Sequence, residues 1–249
     1  MTLSVALLLL VAGFFAGVVN ALAGGGSFLT LAALVVAGGL PVDVANGTNR
    51  VAIVVQSLAT ALTFQRSGLS ERSLVLRLAP ATMVGAVVGA RLSLDIPRDA
   101  FETVVGVAML GMMGLVLLRP RRFLEGAVRA PRLSFGLADL LFFAIGVYGG
   151  FLQAGVGVFL LAGLVGLGGR DLVRANVAKV VLALVFTVPA LLVFLAEGAV
   201  DWVPGLVLAC GTAIGGVAGA RLAVRGGAPV VRWVLLAVLA LSAGRFLFG

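Results

Sequence analysis

Two short polar stretches interrupt an otherwise apolar chain. The first is Asn20-Ala-Leu-Ala-Gly24-Gly25-Gly26-Ser27, and the second is Asn46-Gly47-Thr48-Asn49-Arg50, with Gln56 following six residues later. Three consecutive glycines break a helix and leave backbone N–H groups unpaired, which hydrocarbon tolerates only where they line a cavity. At the start of the apolar run 27–38, such N–H groups would face an anion well, helped by the helix dipole. Neutral amide, hydroxyl and backbone donors hold a small oxoanion without trapping it. Asn46 alone would serve as an N-cap. A cap does not explain Thr48, Asn49, Arg50 and Gln56 beside it. Small residues can also simply let helices approach closely. That suits Gly85 with Gly89 and Gly215 with Gly219, but not Gly24 to Gly26 flanked by polar Asn20 and Ser27.

The elements that must position these groups come in two sets, because the chain repeats itself. AlaAsnGlyThrAsnArgVal at 45–51 returns as AlaAsnValAlaLysValVal at 175–181, and GlyAlaArgLeu at 89–92 returns at 219–222, both 130 residues on. Gly13, Gly17 and Asn20-Ala21 match Gly146, Gly150 and Gln153-Ala154 at 133. The second half therefore offers Gln153, Gly155, Gly157, Asn176 and Lys179 as counterparts, with a thinner glycine motif. Arg50 and Lys179 fall at adjacent aligned positions, one cation per half. Each could be an anchor snorkelling to the interface or a counter-charge for the substrate. Their pairing by repeat favours the second.

Five apolar segments can be drawn in each half: 3–22, 27–38, 46–64, 74–94 and 100–118, then 135–153, 157–168, 176–196, 202–222 and 230–248. The predicted fold class is an all-α polytopic membrane protein built from two repeats. Repeat one covers 1–118, a basic cytoplasmic linker 119–134, and repeat two 135–249. The second segment of each half would reach only about 18 Å as helix, short of a hydrocarbon core of about 30 Å. It is half of a broken helix or the returning arm of a re-entrant hairpin. Loop charges set the orientation. The linker holds Arg119, Arg121, Arg122, Arg129 and Arg132 against Glu125, and the 65–73 loop holds Arg66 and Arg72 against Glu71, so both belong inside. The 197–201 turn has only Glu197 and Asp201 and belongs outside. Matching loops thus face opposite sides, which predicts inverted-topology repeats with both termini outside.

Composition excludes several classes. The chain has 249 residues, 61% hydrophobic and 11% charged, with mean hydropathy +1.21, too apolar for a water-soluble globule. Its net charge of +8 serves orientation in the bilayer rather than nucleic acid. No Lys or Arg precedes the first apolar run, so a cleavable signal peptide is not expected. Histidine is absent, and Cys210 has no partner for a disulfide and reads as a packing residue. No nucleophile–base pair, metal-ligand cluster or phosphate loop is present in the sequence, so neither an enzyme, a metal nor a cofactor is expected. Asp139 is the one clear acidic residue inside an apolar segment, and its place near a segment start is interfacial rather than a proton relay.

The stretch GFFAGVVNALAGGGSFLTLAALVVAGGLPVDVANGTNRVAIVVQSLATALTF at 13–64 resembles the TauE/SafE sulfite-exporter family, as do 146–181 and the GARL ends of both halves. The resemblance covers nearly the whole chain, and the AGGGS plus ANGTNR pair carries its specificity. It implies export of a small sulfur oxoanion or organosulfonate, such as sulfite or sulfoacetate, across the bacterial cytoplasmic membrane, with a homodimer as one assembly open to it. Sulfate, thiosulfate and carboxylates are alternative cargoes. A non-transporting membrane assembly subunit is the alternative of another class. Paired polar clusters beside helix breaks would have no obvious use there.

Overall fold

In a computed structural model, residues 1–97, 100, 103, 135–166 and 172–248 are described, the stretch from 231 onward as backbone only. Most of the segment expected at 100–118, and all of the 119–134 linker, lie outside them. The described elements are helical throughout. In the first half they are α1 (Leu3–Leu22), α2 (Ser27–Ala32, widening into a π turn over Ala33–Ala37), α3 (Val42–Arg66) and α4 (Arg72–Asp95). In the second they are α5 (Phe135–Phe151), α6 (Val156–Gly166), α7 (Leu172–Ala196) and α8 (Trp202–Phe248). α8 is broken at Gly227, where φ is 60°, a left-handed value that glycine adopts freely. Apart from 100–118, the expected segments therefore appear within a few residues of their places, with 202–222 and 230–248 joined into α8. α3 and α7 begin four residues earlier than expected, because Val42 and Leu172 already continue the apolar face.

Four of the described helices are long and apolar enough to cross a membrane: α1, α4, α7 and α8 over Trp202–Gly227. α3 is equally long but carries the polar run Asn46 to Arg50. The outward faces of the spanning helices are oily: Leu3, Leu7 and Phe15 on α1, Leu76 and Val84 on α4, Trp202, Leu206 and Ile214 on α8. An apolar exterior around a polar interior belongs in lipid, so the chain is a multi-pass membrane protein. Cys210 lies on this exposed face of α8 rather than packed inside as expected, since it shares the stripe of Leu206 and Ile214 four residues to either side.

The halves interlock by exchange. α1 packs along α8: a Cβ on Gly13 would fall 2.9 Å from Leu208 O, and one on Gly17 would fall 2.9 Å from Gly216 N. In the same way α5 packs along α4, where a Cβ on Gly85 would fall 2.9 Å from Val147 N and one on Gly89 would fall 2.7 Å from Phe151 N. Numbers rise together in both pairs, so each pair runs parallel. α3 and α7 run antiparallel: Gly47 meets Phe194, while Phe64 shares a cluster with Val177 and Val180. The glycines assigned to packing do pack, letting backbones touch. The register of the first helices differs from the sequence match. Gly215 and Gly85 press on Val18 and Val147, which are 129 apart, not 133. Glycines spaced by four repeat once per turn, so Gly17 aligns with Gly146 as readily as with Gly150.

Both short helices fold back. Gly26 lies against the Ala16–Asn20 turn, and Leu31 and Leu34 share a cluster with Leu9, so α2 returns along α1. A Cβ on Gly163 would fall 3.3 Å from the Phe142 ring and 3.4 Å from Ile145 Cδ1, so α6 returns along α5.

Candidate functional site

The two helix breaks meet. Gly24 and Gly155 hold positive φ of 83° and 75°, turning the chain sharply between α1 and α2 and between α5 and α6. Gly157, in the first turn of α6, touches Gly24 backbone to backbone. Around this contact lie two polar clusters, each built from the carboxyl end of one half's first helix and from both α3 and α7.

The first cluster surrounds Asn20. Its Nδ2 donates to Ser27 Oγ at 3.1 Å and to Gln56 Oε1 at 3.2 Å, and its Oδ1 accepts from the Gly26 N–H at 3.1 Å. The Gly26 N–H, expected to face an anion, is therefore already taken by Asn20. The carbonyls at the end of α1 are taken as well: Lys179 Nζ donates to Asn20 O and Asn176 Nδ2 to Ala21 O, both at 2.8 Å. Asn20 and Gly25 are part-exposed, while Gly24, Gly26, Ser27, Gln56, Asn176 and Lys179 are buried.

The second cluster surrounds Gln153. Arg50 Nη1 donates to Gly149 O at 3.1 Å and to Gln153 Oε1 at 3.0 Å, Nη2 donates to Gly150 O, and the guanidinium lies 4.5 Å from the Phe194 ring centroid. Gln153 Nε2 reaches Thr187 Oγ1 at 3.2 Å. Asn46 Nδ2 donates to Phe151 O at 2.8 Å. It sits in the second turn of α3, so it is not the N-cap its type allowed. Ser93 joins it from α4, and Tyr148 Oη ties down the break through Ala154 O at 2.9 Å.

The two clusters correspond. Asn46 to Phe151 and Asn176 to Ala21 are the same bond shifted by 130 residues, and Arg50 to Gly150 mirrors Lys179 to Asn20. In each, a cation and an amide from one half's third helix occupy the last carbonyls of the other half's first helix. Those carbonyls stand in the last turn of their helix, where Asn20 O also accepts the Gly24 N–H at 3.1 Å, and carry the negative end of its dipole, so a buried cation is stabilised there. Arg50 is 0% and Lys179 2% exposed, so neither snorkels to an interface.

Thr48 is the expected residue that the structure sets apart: its Oγ1 accepts from Asp201 N at 2.8 Å, in the α7–α8 turn. It is two residues from Asn46 and from Arg50, hence about 200° around the helix. Asn49 is fully buried, and neither its Oδ1 nor its Nδ2 has a partner. Ser93, Tyr148 and Thr187 were not anticipated. Thr187 alone left a trace, as a hydroxyl inside an apolar run that matches Ser57 across the repeat.

Comparisons with known proteins place the chain among membrane transporters. Residues 9–246 match the family model described as sulfite exporter TauE/SafE. The chain is 31% identical over 231 residues to the probable membrane transporter protein ORF9 of Sinorhizobium sp, covering 92% of this chain and 87% of that one. It is 29% identical over 238 residues to the probable membrane transporter protein YfcA of Escherichia coli (strain K12), covering 94% and 86%. A probable membrane transporter protein of Haemophilus influenzae is 28% identical over 221 residues, covering 88% and 86%. No solved structure matches the chain.

Proposed function

The chain belongs to the sulfite exporter TauE/SafE family, and from that premise we propose that it is a secondary transporter that exports a small anion by alternating access. The cargo is sulfite or an organosulfonate such as sulfoacetate, and the membrane is the bacterial cytoplasmic membrane. Its substrate sits where the two helix breaks meet, with the unpaired amide of Asn49 and with Asn20, Ser27, Gln56 and Gln153 exchanging their present hydrogen bonds for the anion, while Gly24 to Gly26, Gly155 and Gly157 shape the ground between them. Arg50, Lys179, Asn46 and Asn176 hold the helix ends that form the walls, and the two cations add positive potential from one shell away.

The observation that carries this reading is the duplicated bond set: cation and amide of each half closing the first helix of the other. Two equivalent halves that clasp each other around a shared centre can rock between two equivalent arrangements, which is the economy of inverted repeats. Packing directions support the inversion. α1 parallel to α8, α4 parallel to α5, and α3 antiparallel to α7 are what a chain with both termini outside and the 65–73 loop inside requires. The ion pairs agree, with Arg174 on Glu71 at one end and Arg91 on Glu197 at the other. On this reading 1–118 and 135–249 are the repeats and 119–134 the cytoplasmic linker.

A binding screen of the purified protein against sulfite, sulfate, thiosulfate, sulfoacetate and short carboxylates tests the cargo. Saturable binding of a sulfur oxoanion supports the reading. Binding of carboxylates alone moves the cargo to another class, and binding of none removes the anion site.

A further inference from the structure

We propose that the transported species is a hydrogen-bearing anion, one that donates a hydrogen bond as well as accepting them, so that a proton leaves with the substrate. This rests on the anion-transport reading above and, of its two cargoes, selects sulfite, carried as hydrogensulfite, over an organosulfonate, whose sulfonate group has no O–H to donate. The observation is Asn49. It is fully buried, and both its carboxamide atoms lack partners. On α3 it lies on the stripe of Ala45 and Ala52, four residues after one and three before the other. Both alanines pack in one cluster with Leu31 and Leu34 of α2 and Leu152 and Ala154 of the α5–α6 break. Farther along the same stripe, Gln56 bonds Asn20 beside the glycine break. Asn49 is thus aimed at the ground between the two breaks.

A carboxamide presents one acceptor and two donors. Fully deprotonated sulfite and sulfate bring acceptors only and would leave Asn49 Oδ1 unpaired. Hydrogensulfite closes a ring with it: the anion's O–H donates to Oδ1 while another oxygen accepts from Nδ2. Asn176 repeats the pattern, since its Nδ2 is committed to Ala21 O and its buried Oδ1 is left without a donor.

The chain offers few other carriers for a proton. It has no histidine, and the carboxylates among the described residues of the helices stand in turns or near helix ends: Asp43, Glu71, Asp95, Asp139, Glu197 and Asp201. The titratable groups near the breaks are Arg50 of α3, Lys179 of α7 and Tyr148 of α5. α1, α2 and α8 contribute neutral Asn20, Ser27 and Thr212.

The test is counterflow in proteoliposomes with two probes, sulfite on either side of its hydrogensulfite-to-dianion ionisation and methanesulfonate, which stays deprotonated throughout. Sulfite flux should follow the hydrogensulfite fraction. Methanesulfonate should be poorer by about ten- to a hundredfold, because it leaves the buried Asn49 Oδ1 without a donor. Asn49→Leu should erase that preference, and Lys179→Met should retain the pH dependence. Equal flux of the two probes, or sulfite flux that follows the dianion, overturns the proposal while leaving anion transport standing. Loss of the pH dependence in Lys179→Met also overturns it, placing the proton on the lysine. No flux of either probe fails the transport reading itself. The probe comparison uses the parent protein and so stands even if Asn49→Leu misfolds.

Discussion

Gly24 and Gly157 touch through their backbones: a Cβ built on Gly157 would fall 2.5 Å from Gly24 Cα and 2.8 Å from its carbonyl oxygen. No flexible side chain can yield there, so an added methyl must push the two breaks apart. Gly157→Ala is expected to cost about 1–3 kcal/mol by overpacking. Gly24→Ala should cost more, since it adds a strained φ of 83°. Gly166→Ala, with nothing within 4 Å, is the neutral control. Thermal unfolding in detergent, followed by size-exclusion, ranks the three. Equal midpoints would mean the breaks do not touch.

The two buried cations should separate by phenotype. Arg50 makes three hydrogen bonds and stacks on Phe194, while Lys179 has one carbonyl partner at 2.8 Å. Arg50→Gln is expected to lower thermal stability by several kcal/mol, because charge-assisted bonds are worth about 1.5–3 kcal/mol each. Lys179→Met should lose less stability and more anion affinity. A unit charge about 8 Å away at an effective dielectric near 20 contributes about 2 kcal/mol, roughly thirtyfold in Kd. If both variants bind sulfite as tightly as the parent, the cations serve only the helix ends, and neutral groups carry selectivity.

Sidedness can be read by thiol labelling in intact cells. With Cys210 replaced by Ala, a cysteine at Ala196 should react with an impermeant reagent from outside, and one at Ser67 only after the membrane is opened. Both positions are exposed at opposite ends of the bundle. Labelling of both from outside would defeat the inverted topology.

Arg91 and Glu197 form an ion pair between side chains that are 53% and 47% exposed, one on α4 and one in the α7–α8 turn. Such pairs contribute about 0–1 kcal/mol, so Arg91→Ala should leave the unfolding midpoint nearly unchanged. The Arg174–Glu71 pair differs, because Glu71 is 3% exposed. Arg174→Ala should therefore destabilise measurably more than Arg91→Ala.

Much of this fold is legible in the chain because apolar runs, glycine breaks and repeats are one-dimensional signals. The ends of α1 and α2, and the packing of Gly85 and Gly89, follow from residues within a few turns. The partners do not. Arg50 bonds to Gly149 and Gln153, 99 and 103 residues away, and in the sequence it reads as a snorkelling anchor or a counter-charge, not as the clasp of a distant helix end. Thr48 looked like a member of the polar run, but a helix turns about 100° per residue and carries it to the α7–α8 turn. The 133-residue match of the first helices slipped by one turn because small residues spaced by four look alike after a turn. Cys210 was misplaced for a related reason: in lipid, the outer face of a helix is as apolar as its core, so hydrophobicity does not reveal direction.

The most direct measurement is sulfite counterflow across proteoliposomes containing the purified protein, for the parent and for Asn20→Ala and Gln153→Ala. Asn20 and Gln153 each centre one of the two clusters, so a shared site at the helix breaks predicts saturable counterflow in the parent. It also predicts at least about a tenfold loss in both variants, corresponding to roughly 1.4 kcal/mol of lost anion binding. Undiminished counterflow in both folded variants, or none in a correctly inserted parent, would contradict an anion site where the two halves meet.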